Sequence, residues 1–173
     1  VETRDGRCGQ GVGSMPMGNV WAWPSSQVSG DATLDAMIRT GERLADLARS
    51  YEDAGHPLEI TSDLAKQYES VAGAVTREAG LAEPMPCLGH LVAASPLEAA
   101  IHDAYGKTLG ENSYNLLGSD FVNRDLSHYL TDEFAGEYLD GYTLRQPKAE
   151  MSTHCQDHTQ RRAWPRKKRH HSR

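Results

Sequence analysis

Ser95-Pro-Leu-Glu-Ala-Ala-Ile-His-Asp-Ala-Tyr-Gly-Lys-Thr-Leu-Gly110 is the run whose reading decides the fold. Ser95 fits a helix N-cap, Pro96 suits the first helical position, and Glu98 completes a capping box. Leu97, Ala100, Ile101, Ala104, Tyr105 and Leu109 recur at three and four, so they share one face of a helix, and the alanines let a neighbour pack closely. Gly110 ends it, ahead of a short turn over 114–117.

Working upstream, Pro84 and Pro86 break the chain. Before them, His56-Pro57 opens a helix with Leu64, Tyr68, Val71, Val75 and Ala79 on one side, closed by Gly80. An earlier helix begins at Asp31 and carries Leu34, Met37, Ile38, Leu44, Leu47, Ala48 and Tyr51 inward, ending near Gly55. These three helices predict a bundle. At the start, Asp5-Gly6 is a hairpin signal between two short alternating runs. The expected fold class is therefore α+β, a small N-terminal antiparallel sheet followed by a three-helix bundle. Downstream, residues 120–146 space their aromatics irregularly, which predicts short helical turns and a strand at 142–144.

Between hairpin and bundle lies Met15-Pro-Met-Gly-Asn-Val-Trp-Ala-Trp-Pro24. Two methionines and two tryptophans between prolines and a glycine predict an irregular apolar loop. Connections normally stay wet, so an apolar one needs a covering role, either over its own core or as a lid over a ligand or partner.

Composition bounds the function. The 173 residues have a mean hydropathy of -0.61, and no run approaches the roughly 20 apolar residues that span a bilayer, so a membrane is not an expected partner. Cys8, Cys87 and Cys155 are odd in number and form no CxxC pair, which favours a reducing, cytoplasmic setting. The net charge of -6 hides two unlike parts. Residues 1–150 carry 11 Lys and Arg against 23 Asp and Glu, a net -12, while 151–173 carry 7 against 1, a net +6. The boundary near 148 thus separates a folded domain from a basic, His-rich tail expected to be disordered.

The chemical motifs are thin. Gly9-Gln-Gly-Val-Gly-Ser14 fails the GxGxxG pattern, because Ser14 holds the third glycine position and no helix opens there; close glycines instead mark tight backbone approach or a bulge. His102 and Asp103 are adjacent on a helix, point in different directions, and read as surface residues. His154, Cys155, Asp157 and His158 have no second ligand cluster, so the tail reads as His-rich rather than metal-binding. No catalytic residue, metal ligand or cofactor is expected within this chain.

The segment 95–118 resembles the last helix of the N-terminal capping domain in the mandelate racemase and muconate lactonizing enzyme family of the enolase superfamily, through Ala100, Asp103, Gly106, Lys107, Leu116, Leu117 and Gly118. The start of the chain is similar to the strand and mobile lid of that domain, in members with a Gly-Asn-Val-Trp lid. The resemblance covers residues 1–148, the capping domain, with its lid at 15–24; residues 149–173 are the tail. It implies a parent chemistry of Mg²⁺-assisted proton abstraction alpha to a carboxylate, as in racemases, epimerases, dehydratases and cycloisomerases. The base and metal ligands of that chemistry lie on a barrel of roughly 200 further residues, so the chain is expected to be inactive alone. The expected partners are such a barrel and a carboxylate or sugar-acid substrate. Met15, Met17, Asn19, Trp21 and Trp23 are the expected substrate-facing lid residues. The sequence beyond 150 leaves the family pattern and reads as the disrupted end of a truncated gene. The alternative function is a small helical interaction protein with a nucleic-acid-binding tail, a partner the composition does not favour.

Overall fold

A computed structural model describes residues 1–143; the basic tail and the end of the expected 142–144 strand lie outside them. Five α-helices form the described part: α1 (Asn19–Ala22), α2 (Gly30–Arg49), α3 (Pro57–Ala65), α4 (Tyr68–Glu78) and α5 (Cys87–Leu109).

The expected N-terminal sheet is not there, and the α+β class is corrected to all-α for the described residues. The Asp5-Gly6 turn forms, with Gly6 at φ +81°, but it closes a single antiparallel bridge, Glu2 to Cys8. Beyond it the chain leaves the ladder for a helix. Cβ atoms built at Gly9, Gly11 and Gly13 would meet Thr108 and Ala104, then Ala100 and Ala104, then Pro96 and Ala100 of α5. Two residues of strap advance against four of helix, about 6 Å at 1.5 Å per residue, which only an extended chain matches. The glycines therefore mark close backbone approach to α5. Asp103 fixes the strap by accepting the Val12 N–H at 2.8 Å.

The bundle is present with different joints. α5 starts at Cys87 behind Pro86 and runs through Pro96, so Ser95 is not a cap; its hydroxyl donates to the Leu91 carbonyl at 2.9 Å. Glu98 makes no capping box and instead accepts the Tyr68 hydroxyl at 2.9 Å. The second expected helix divides into α3 and α4 at Lys66 and Gln67. On α2 the buried face is Thr33, Ala36, Met37, Thr40 and Leu44, and Ile38 is exposed. Small residues there admit α5 closely, and Thr40 satisfies its hydroxyl on the Ala36 carbonyl at 2.8 Å.

Two buried clusters make the core. One gathers Ala22, Trp23, Met37, Val75, Met85 and Val92; the other gathers Leu44, Leu64, Tyr68 and Ala94. Residues 120–143 add 3-10 turns at Leu126–His128, Asp132–Phe134 and Leu139–Gly141, so Tyr142 closes a turn rather than opening a strand.

Candidate functional site: an anchored apolar lid

The lid contains one helical turn where an irregular loop was expected. Asn19–Ala22 closes because Trp23 donates its N–H to the Asn19 carbonyl at 2.8 Å. The Asn19 side chain ties this turn to α2, donating to the Gly30 carbonyl at 2.8 Å and the Thr33 hydroxyl at 3.0 Å. Trp23 is 3% exposed and its indole N–H donates to Glu83 at 2.8 Å. Met17 packs on the same core cluster as Ala22 and Trp23.

The other half faces out. Val20 is 80% and Trp21 53% exposed, and Met15 is exposed beside them in sequence. Trp21 lies over Gly18, where a Cβ would overlap its indole ring, so glycine is what lets the ring settle there. Of the five expected contact residues, Met17, Asn19 and Trp23 serve as anchors, while Met15 and Trp21 are presented to solvent. Composition alone could not divide them, since the same residue types appear on both sides.

A second place collects polar and aromatic groups that the sequence read as helix-face or helix-start residues and not as a site. A concavity of about 770 Å³ is lined by Tyr51, His56, Ile101, Tyr105, Phe121 and Asn123, among others. His56 is 3% exposed and caps α3: its Nδ1 accepts the Leu58 N–H at 3.1 Å, so Nε2 carries the proton and donates to the Leu116 carbonyl at 2.8 Å. Tyr105 and His102 stack edge-on against it at 5.1 and 6.3 Å. Burial holds the His56 pKa down at about 4, against its Leu116 hydrogen bond, and burial also lowers that of His102. With both ring nitrogens committed, His56 is a structural group rather than a proton carrier. Glu59 supports it, accepting the His56 N–H at 2.9 Å and the Asn123 amide at 2.8 Å. The His56-Pro57-x-Glu59 spacing was the signal for this cap.

His102 is therefore packed against His56, and Asp103 holds the strap. Asp103 also accepts Lys107 at 2.7 Å, and this bond, with the Val12 N–H, keeps its carboxyl below the usual range.

The magnesium implied by the family resemblance does not fit these residues. The lid offers two thioethers, indole rings with no lone pair to give and a single amide oxygen, where Mg²⁺ takes several hard oxygens. Among the described residues no three His, Cys, Asp or Glu side chains converge as a metal site. Cys8 and Cys87 are free, exposed thiols, and no helix there is long and apolar enough to cross a membrane. No protein-family model matches the chain, and neither a curated protein nor a solved structure is similar to it.

Proposed function

We propose that this chain is a capping module of the mandelate racemase and muconate lactonizing enzyme type, working in a reducing, cytoplasmic setting, whose lid closes over a site supplied by a barrel partner. The reading rests on one observation: the lid is fastened on its inner side by Trp23 and Asn19 and offers Trp21, Val20 and Met15 on its outer side. An apolar surface held by hydrogen bonds at its root is suited to excluding water from a charged carboxylate or sugar-acid substrate. Proton abstraction belongs to the partner in this scheme. The module's share is to shape the apolar wall of the site, with Trp21 and Met15 as the contacts.

The test pairs the full chain with the barrel portion of a family enzyme stripped of its own cap, and follows exchange of the proton alpha to the carboxylate. No exchange is expected from the chain alone, and recovered exchange from the mixture. Trp21→Ala raises KM in the mixture while leaving folding stability within about 0.5 kcal/mol. Turnover by the chain alone, or a barrel indifferent to its addition, overturns the proposal.

A further inference from the structure

The concavity beside His56 is separate from the lid. Tyr51, Ile60 and Ile101 of its wall pack on the cluster of Leu44, Leu64, Tyr68 and Ala94, whereas Trp23 and Met17 of the lid pack on the other. Its size of about 770 Å³ lies in the range of small-molecule sites. Three aromatic side chains, Tyr51, Tyr105 and Phe121, line it, and two of them are held in place from behind. The Tyr51 hydroxyl donates to Asp63 at 3.2 Å, and the Tyr105 ring meets the His56 ring edge-on at 5.1 Å. His56 is itself fixed by Leu58 and Leu116. A wall ordered in advance spares a ligand the cost of ordering it.

The charge in this wall is one-sided. Among its charged side chains Glu2, Glu52 and Asp53 are acidic and Arg4 is basic, while His56 brings no charge at neutral pH. Behind the wall, both donors to Glu59, the His56 N–H and the Asn123 amide, go to Oε2. Its Oε1 is buried with no donor among the described residues, so the negative charge of Glu59 is incompletely met. That charge reaches the rings. Burial raises the hydroxyl pKa of Tyr51 and of Tyr105, and carboxylates raise it further: Asp63, Asp53 and Glu59 at Tyr51, and Glu59 at Tyr105.

We propose that this concavity binds a small organic cation, an ammonium group carried on a flat apolar body. The ammonium sits toward Asp53 and Glu52, and the body lies among Tyr105, Phe121 and Ile101. Aromatic walls and fixed negative charge favour such a ligand together, through apolar contact and cation–π attraction. An anion would meet the carboxylates, and a neutral apolar molecule would leave them unused. A hydrated metal ion gains little from ring walls, and no third ligand joins Glu52 and Asp53 among the described residues.

The experiment titrates phenethylammonium into the full-length protein and follows the ring resonances of Tyr51, Tyr105 and Phe121 by NMR. All three are expected to shift and saturate together. 3-Phenylpropionate carries the same phenylethyl body with the opposite charge, and is expected to bind about tenfold more weakly or less. Glu52→Gln combined with Asp53→Asn, both at exposed positions, should weaken phenethylammonium by about threefold or more and leave the fold intact. The proposal is overturned by absent ring shifts at millimolar phenethylammonium, by equal or tighter binding of 3-phenylpropionate, or by an affinity that the paired substitution does not move.

Discussion

His56 couples the fold to pH through the one proton its site refuses. The unfolded chain takes up a proton near the ordinary histidine value of 6.5, while the folded chain resists until about 4. Between these values the unfolded state binds more protons, so stability is full above pH 6.5 and falls as pH drops through the window. The loss reaches about 3 kcal/mol below the folded pKa, from roughly 1.4 kcal/mol per pKa unit, and His102 adds a term of the same sign. His56→Asn keeps a capping acceptor for the start of α3 and removes this titration. Its urea midpoint should therefore change less between pH 6.5 and 4 than that of the parent. An unchanged slope, or a His56 ring titrating near 6.5 by NMR, contradicts this account. The lid residues separate by the same physics of burial. Trp23→Ala vacates a core position and strands Glu83, which is expected to cost about 3–5 kcal/mol in urea unfolding, in contrast to the small effect of Trp21→Ala.

At the scale of elements, glycines divide into those that hold α5 and those that merely occupy a helix. A methyl at Gly11 would overlap the Ala100 carbonyl oxygen, a backbone atom that cannot step aside. Gly11→Ala should therefore lift the strap and cost about 1–3 kcal/mol. Gly73, inside α4, would place its methyl 3.1 Å from the movable Arg77 guanidinium. Gly73→Ala should raise stability by about 0.5–1 kcal/mol. Thermal melts of the two variants moving in the same direction would undo the distinction. The helices were legible because Met37, Leu44, Leu64, Tyr68 and Val75 repeat at helical spacing. The start of α5 was not, because Ser95-Pro96-x-Glu98 has the residue types of a cap. Cys87–Leu109 is nevertheless one helix, since residues as small as Ala93 and Ala94 bury against α2 and that packing outweighs the hydrogen bond Pro96 forgoes. The sheet was misread for a related reason. Asp5-Gly6 specifies a turn, but strand pairing needs residues with side chains to pack, and the next three odd positions are glycine. Of the lid, its position and apolar character were readable, whereas the split between Trp23 and Trp21 depends on Glu83, sixty residues away.

For the whole molecule, the two core clusters raise the question of whether the described residues unfold in one step or two. They are not served by separate helices. α2 contributes Met37 to one and Leu44 to the other, α4 contributes Val75 and Tyr68, and α5 contributes Val92 and Ala94. Opening either cluster displaces three helices that the other also needs, and the exposed Arg43–Glu78 pair links α2 to α4 as well. Cooperative unfolding follows from that shared framework. Met37→Ala and Leu44→Ala, both fully buried, should each cost about 2–5 kcal/mol. Each should also shift every probe together: the Trp23 indole resonance within the first cluster, the Tyr68 resonances within the second, and far-ultraviolet circular dichroism across all helices. A Met37→Ala protein that lost the Trp23 signal at a lower urea concentration than the Tyr68 signal would show that the clusters open separately. The lid would then report on local opening of its anchor rather than on global stability, and its presentation of Trp21 would depend on the first cluster alone.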